Sequence, residues 1–397
     1  MRFASAVSTV ASANAALRDI LDQLEIEAGP RPDFVALHFS PAWPASELQA
    51  EAVAAFGDVA LHGGSSCLGV MTERGAVIAG GRGMGAFAIW DPGGAYGTGM
   101  AVQGDDPRGA ARAATEAALV AADRVGEAPE LVWLTAAPGA EELVLAGIKD
   151  VLGADAVIVG GSAADNDVSG QWSQFDSRGQ ASDGVVVSVL FPSGPVGCAY
   201  ESGYAPTATH GRVSRVAGRR LIEIDGRPAA GVYEEWTKGV VAVPTEGAVS
   251  VLAASTFHPL GRVAAEVAGV SFHLLAHPAV ADANGGLVLF ADVAEGEMLW
   301  LMSGSADSLV ARAGRVAEES LAALPGAARD GAQGALVVYC GGCMLAVQDR
   351  MDEVTEGVSR ALGGIPFLGI FTFGEQGAPL GGEARHGNLM ISCSTFG

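Results

Sequence analysis

IPFLGIFTFGEQGAPLGGEARHGN, residues Ile365–Asn388, carries the pattern on which the chain is built. Its apolar start has the length and composition of a strand buried on both faces. The run stops at Gly374 and Glu375, crosses a glycine-rich loop, and reaches His386, Gly387 and Asn388 before a last apolar stretch, LMISCSTF. Glycine lets a backbone turn tightly or approach a ligand closely. A carboxylate and an imidazole thus flank a pliable loop at a strand end. Alone, the stretch also fits a plain turn with two solvated polar side chains. Its recurrence argues for more.

Three segments share one order. The first runs DFVALHFSPAW (from Asp33), ASELQAEAVAAF (from Ala45) and DVALHGGSS (from Asp58). The second runs ELVWLTAAPG (from Glu130), AEELVLAGIKDVLG (from Ala140) and DAVIVGGSAAD (from Asp155). The third runs GALVVYCGGC (from Gly334), DRMDEVTEGVSRALG (from Asp349) and IPFLGIFTFGE (from Ile365). Each reads as buried strand, amphipathic helix, buried strand and glycine-bearing loop. Helical spacing picks out Leu143, Ile148 and Leu152, and Met351, Val354, Val358 and Leu362, as buried faces.

An alanine-rich helix is expected before each unit: SAVSTVASANAALRDILDQL from Ser5, DDPRGAARAATEAALVAADRV from Asp105, and SADSLVARAGRVAEESLAAL from Ser305. Asp106 with Pro107, and Ser305 ahead of Asp307, supply N-terminal starts. A helical crossover makes its flanking strands parallel. The predicted fold class is therefore α/β: repeated strand–helix–strand units with mainly parallel central sheets, plus β-rich hairpin segments, in two halves. Ser65, Cys67, Ser162, Asp165, Cys340, Cys343 and Glu375 then fall just past strand ends, where α/β sheets bind ligands.

The 397 residues suit two domains. Texture changes after Pro192 to short β-like runs and turns, with Asp225-Gly226 and Asn284-Gly285-Gly286 as hairpin signals. The expected division is residues 1–212 and 213–397. A net charge of −22, from 45 acidic and 23 basic residues, opposes binding to nucleic acid or an anionic membrane. Few lysines among many Ala, Arg and Gly suggest a high-GC bacterial genome. With no targeting segment, no membrane-length apolar run and an odd five cysteines, the cytoplasm is the expected location.

At this point the chain resembles the FIST proteins, sensory domains with an N-terminal and a C-terminal half. DVALHGGSS and AVIVGGSAADND are similar to the glycine–serine signatures of the N-terminal half. LIEIDGRPAAGVYEEW is similar to the start of the C-terminal half. ALVVYCGGC and IPFLGIFTFGEQG with HGN are similar to its closing signatures. The ordered set covers nearly the whole chain. Two departures are clear: Cys343 stands where the family commonly has Arg, and the FTFGE motif has Phe where Tyr is typical. The resemblance implies a small-ligand sensor of signal transduction, with amino acids or related metabolites as ligands. It also implies an alternative, a haem-binding nitric oxide sensor. No kinase or cyclase segment is expected in this chain, so a signal would pass through a separate partner such as a histidine kinase or cyclase.

Candidate ligand-binding residues are Ser65, Ser66, Cys67, Ser162, Asp165, Cys340, Glu375, His386 and Asn388. The serines follow paired glycines and suit a carboxylate or phosphate, or simply tight loop packing. Glu375 suits a ligand ammonium group, or a turn cap. Cys340 and Cys343 suit buried thiols, a dithiol couple or half a zinc site. A zinc site would need two more ligands, which Cys67 and His62 could supply only if the fold brings them together, and no metal is assigned. His38 reads as a satisfied core residue. His258, His273 and His277 are equal candidates for an axial haem ligand. A rival class is a cysteine-nucleophile enzyme acting on an acyl or amide substrate: Cys340 as nucleophile, His386 as base, Glu375 as its orienter, and the N–H groups of Gly341 and Gly342 for an oxyanion.

Overall fold

The computed structural model describes residues 1–26 and 29–397. All three strand–helix–strand units are present. Phe34–Phe39 and Ala60–Ser65 flank the helix Ala45–Phe56; Leu131–Ala136 and Ile158–Ser162 flank Glu141–Leu152; Gly334–Cys340 and Phe367–Thr372 flank Met351–Ala361. Each pair is parallel, with His38 opposite Gly64, Thr135 opposite Gly161 and Cys340 opposite Thr372. Asp106 caps one long helix with Pro107 behind it, and Ser305 caps another in a capping box with Ser308.

Each parallel pair is the centre of its own six-stranded sheet. Parallel pairing stops there, and antiparallel strands complete every sheet. On one side lie Arg2–Ser8 and Met84–Trp90 in the first sheet, Ala95–Val102 and Gly184–Phe191 in the second, and Val196–Ser202 and Met390–Phe396 in the third. The other edge is filled by a hairpin borrowed from another unit. Val70–Thr72 and Gly75–Val77, which follow the first unit, pair with the third unit's Phe367–Thr372. The hairpin Gln174–Phe175 and Gln180–Ala181, beyond the second unit, pairs with the first unit's Ala60–Ser65. Glu375–Gly377 and Arg385–Gly387, beyond the third unit, pair with the second unit's Ile158–Ser162. The exchange closes a ring of three.

Inside the ring the sheets pack face to face through Phe34, Leu131, Trp133, Leu336, Val338 and Ile370. Helices cover the outer faces. The side-chain period of a strand is two, so the same inward rows end in His38, Thr135 and Cys340. Two glycines make the close packing of units feasible: a Cβ on Gly64 would meet Thr135 Cγ2 at 2.6 Å, and one on Gly161 would meet Thr372 Cγ2 at 2.3 Å. The second glycine of each GGS segment therefore serves packing between units.

Residues 205–303 form an inserted β-rich module between the strand Val196–Ser202 and the helix Ala306–Ala323. It has its own core around Leu221, Tyr233, Leu260, Leu287 and Leu299. Asp225 and Gly226 turn its expected hairpin with φ of 51° and 71°, and Asn284–Gly286 lie at a second tip between Pro278–Asp282 and Leu287–Leu289. The expected division at 212/213 falls within the strand Ala205–Ala217.

Three expectations need correction. Arg2–Ser8 is a strand, and the first helix begins only at Ala13, capped by Ser12. Burial along RFASAVS is not strictly alternating, with Ser5 and Ala6 both buried, and its small Ala and Ser residues carry no period-two hydrophobic signal. The helix Glu141–Leu152 buries Val144, Leu145 and Ile148, while Leu143 is exposed. His38 is buried, but neither ring nitrogen has a hydrogen-bond partner among the described residues; burial depresses its pKa to about 3.

Candidate functional site

The serine-bearing strand ends are occupied by internal bonds. Ser65 Oγ accepts the backbone N–H of Ser173 at 3.0 Å, fixing the borrowed hairpin. Ser66 Oγ donates to the Gly69 carbonyl and accepts the Phe371 N–H at 2.8 Å, joining the first unit to the third. Ser162 Oγ donates to Glu141 Oε1 at 2.7 Å. Asp165 gathers the loop after it, accepting the N–H groups of Val168 at 2.6 Å and Gln171 at 2.7 Å. Cys67 is fully buried, and burial with the nearby Asp165 carboxylate pushes its thiol up to about 12. These five residues hold the three units and their loops together.

The expected Cys340–His386–Glu375 constellation is only partly assembled. Cys340 ends its strand and precedes the short helix Gly341–Ala346. Glu375 lies beside it, fully buried; its carboxyl accepts the Met390 N–H at 2.9 Å and the Thr372 hydroxyl at 2.8 Å. Burial, reinforced by Cys340, holds the Glu375 carboxyl well above the usual carboxylate range. Burial and a hydrogen bond with Cys343 likewise push the Cys340 thiol well above its ordinary value. Both shifts favour the protonated form. His386 is held elsewhere. Its Nδ1 meets Gln376 Nε2 at 3.3 Å and its Nε2 meets the Phe290 carbonyl at 3.2 Å. No hydrogen bond links it to Cys340 or Glu375 among the described residues. A nucleophile with a raised pKa and no adjacent base lacks the activation that covalent catalysis requires.

His386 instead borders an ionic junction. Its ring and the carboxylates of Glu141 and Glu142 bring ligand-type atoms within 4.8 Å of one another. The cation serving them is Arg219 of the β-rich module, whose Nη2 reaches Glu141 Oε2 at 2.6 Å and Glu142 Oε2 at 2.5 Å. Its Nε pairs with Asp292 at 3.0 Å. Burial pushes Glu141 up, but the His386 ring, Arg219 and Ser162 together outweigh it and hold the group below its ordinary value. This network fastens the inserted module to the second unit.

A cavity of about 310 Å³ opens where the module meets the third unit. Cys340, Gly342, Leu345 and Ala346 form one wall, Phe373 and Asn388 another, and Leu252, Thr256, Phe257, His277 and Phe290 of the module close it. Val168, placed by the Asp165 loop, stands at the exposed rim with Leu345. Val168 has φ of 61°, a conformation β-branched residues rarely adopt and one that clusters at ligand clamps. Among the described residues, no Asp, Glu, Lys or Arg lines the cavity.

Its polar groups have fixed orientations. Asn388 Oδ1 accepts the His277 backbone N–H at 3.1 Å. The amide oxygen is thereby assigned, and Nδ2 is left buried without a partner among the described residues. His277 Nε2 lies 3.2 Å from the Leu252 carbonyl. Since a carbonyl only accepts, the proton sits on Nε2. Burial depresses this imidazole to about 4, so the ring is neutral. A wider polar groove of about 730 Å³ between Glu201–Pro206 and the helix at Ser305–Arg315 is more open; it is lined by His273, one of the haem candidates, but by none of the nine expected ligand residues.

Of the nine expected ligand residues, Cys340 and Asn388 line the cavity. Glu375 supports Cys340 from behind, His386 borders the ionic junction with the module, and the other five brace the ring. His277 had been singled out only as one of three equivalent haem candidates. Arg219 and Glu141 were missed, because their signal is a pairing across 78 positions that no local pattern carries.

The chain matches the FIST N domain over residues 33–227 and the FIST C domain over residues 229–378. No curated protein matches it. Among solved structures it is similar to cyanuric acid hydrolase from A. caulinodans, at 10% identity over 99% of this chain and 98% of that one, with a TM-score of 0.36. A second cyanuric acid hydrolase structure is 10% identical over 100% of this chain and 99% of that one, with a TM-score of 0.34. Likeness at those scores says nothing of activity or ligand.

Proposed function

This chain belongs to the FIST family, whose domains bind small ligands in signalling, and we propose that its ligand occupies the cavity between the inserted module and the third unit. The observation that carries this reading is a preformed, mainly apolar cavity of about 310 Å³ walled by both bodies, with Cys340, Asn388, Thr256 and His277 as its polar lining. Such a cavity with a few convergent polar groups is the usual form of a small-molecule site. Its two walls come from different structural bodies. A ligand touching both alters how firmly they are joined, which is the differential contact that a sensor needs.

The amino acid or related metabolite implied by the family resemblance would contact Asn388 and Cys340 rather than Glu375 or the serines. Output would pass through a separate signalling protein such as a histidine kinase or cyclase. A ligand that binds only the native state raises stability by RT ln(1 + [L]/Kd). A thermal-shift screen against metabolites should therefore give hits that disappear in Ala346→Trp, which fills the cavity. Hits that persist in that variant would place the ligand elsewhere.

Haem does not fit this site. The cavity lies near the lower end of the ~300–1,000 Å³ range of small-molecule pockets, and among the described residues no Arg or Lys lines it to meet propionates. His277 Nε2 is already committed to the Leu252 carbonyl.

A further inference from the structure

We propose that Cys340 and Cys343 form a redox-active dithiol that exchanges with a small neutral disulfide entering through the cavity. The pair closes as an intramolecular disulfide, so the cavity wall has two covalent states whichever ligand the cavity holds.

Position comes first. Cys340 ends the strand Gly334–Cys340 and immediately precedes the helix Gly341–Ala346, in which Cys343 is the third residue. One turn of backbone separates them, and the two thiols are close enough to hydrogen-bond. An S–S bond between them calls for side-chain rotation, with no strand or unit displaced. Cys198 and Cys393 instead face hydroxyls, of Ser394 at 3.4 Å and of Thr395 at 3.8 Å.

Access falls to Cys340. It is 5% exposed and stands on the cavity wall, whereas Cys343 is fully buried. The Cys340 sulfur lies toward that wall: a Cβ on Gly342, another wall residue, would be 3.6 Å from Cys340 Sγ and 3.9 Å from His277 Cε1. The cavity volume of about 310 Å³ restricts the reagent to a small molecule. Among the described residues no charged side chain lines the way in, so a charged disulfide would lose hydration without gaining a counter-charge.

The exchange balances. The Cys340 sulfur, as thiolate, attacks one sulfur of the disulfide RSSR. The S–S bond breaks, and the departing RS⁻ takes up the proton that Cys340 released. Cys343 then attacks the Cys340 sulfur of the mixed disulfide and expels the second RS⁻, which takes the Cys343 proton. Two protein thiols are oxidised, and one small disulfide is reduced to two thiols. Burial disfavours the Cys340 thiolate, so the exchange is slow and no ionised sulfur stabilises the reduced pair.

Oxidation strands neither polar neighbour. Glu375, which bonds to Cys340, retains the Met390 N–H and the Thr372 hydroxyl. The Tyr204 hydroxyl meets Cys343 Sγ at 3.7 Å and retains the Thr256 carbonyl at 2.7 Å.

The test incubates the reduced full chain with 2-hydroxyethyl disulfide at about pH 8, near the ordinary thiol pKa. Acid quenching, alkylation and tryptic mass mapping follow. Wild type should yield residues 330–350, which hold both cysteines, as one unalkylated peptide two hydrogens lighter, with Cys198 and Cys393 still alkylated. Cys343→Ser, which keeps a hydroxyl near Tyr204, should stop at a mixed disulfide on Cys340. Ala346→Trp, which fills the cavity, should slow the reaction about tenfold or more. A wild-type pair that remains alkylated at every disulfide concentration would overturn the proposal, as would a crosslink between Cys67 and Cys340. Loss of Cys198 and Cys393 at the same rate would also overturn it, because global unfolding would then admit the reagent. An unchanged rate in folded Ala346→Trp would overturn the route through the cavity.

Discussion

Asn388 Oδ1 and the backbone N–H of His277 lie 3.1 Å apart across the boundary between the third unit and the inserted module. This bond joins two bodies and assigns the Asn388 amide at the same time. It also ends the HGN segment on which the repeat was first read. The ring of exchanged hairpins, the ionic junction at Arg219 and the cavity meet around this boundary, and each makes a separate prediction.

The closed exchange of hairpins predicts that no unit folds alone. Residues 1–191 lack Glu375–Gly377, the antiparallel neighbour of Ile158–Ser162, and leave the Val70–Val77 hairpin without its partner strand Phe367–Thr372. Exposed strand edges aggregate. This fragment expressed alone should be insoluble or lack cooperative unfolding, and co-expression with residues 192–397 should restore a stable complex. A soluble 1–191 fragment with a sharp thermal transition would contradict the described pairing.

Arg219→Ala should cost on the order of 3 kcal/mol, because it leaves the largely buried Glu141 and Glu142 without their cation. The pH dependence has a definite sign. Both carboxyls sit below their unfolded value of 4.5 in the folded protein. Their contribution is present above that pH and is lost as pH falls through the folded values. The gap between wild type and Arg219→Ala, measured by urea unfolding, should therefore narrow below pH 4.5. A gap that widens in acid would refute the assignment.

Glu375 should act in the opposite direction. Burial first, then Cys340, raises its folded pKa above the unfolded value of 4.5. The native state then holds its proton while the unfolded state releases it. Stability from this group is full below 4.5 and declines as pH rises through the folded value. Glu375→Gln, which keeps an acceptor for the Met390 N–H, should flatten that decline and be at least as stable as wild type at pH 7. Marked destabilisation at pH 7 with an unchanged pH profile would show that Glu375 is ionised in place.

Cys340 should be a slow thiol. A free thiol has a pKa of about 8.5, and burial with the Cys343 bond moves Cys340 well above its ordinary value. Iodoacetamide should modify Cys340 at pH 7.5 roughly tenfold or more slowly than a free thiol, with His386→Ala leaving its pH profile unchanged. A fast reaction with an inflection near neutrality that depends on His386 would restore the nucleophile reading.

The sequence revealed these elements unevenly, for physical reasons. The three units were legible because buried strands and amphipathic helices leave local periodicity, as in Val354, Val358 and the run LVVYC. The caps at Asp106 and Ser305 and the turn at Asp225-Gly226 were legible because they use one or two adjacent residues. The hairpin exchange was not, since pairing Val70 with Ile370 leaves no trace near either. The site was half legible. Position past a strand end marked Cys340, and a glycine loop marked Asn388. The serines shared those marks yet turned inward to bond other units. The module side of the cavity, from Leu252 to Phe290, looked like any other apolar stretch.

The most direct test of the central claim is native mass spectrometry of freshly purified wild-type and Ala346→Trp protein, paired with a thermal-shift metabolite screen. The account predicts a small molecule retained by, or stabilising, the wild-type chain, and neither effect in a folded Ala346→Trp variant. A wild-type protein that carries no ligand and is stabilised by no metabolite, or a variant that keeps every hit, would contradict it.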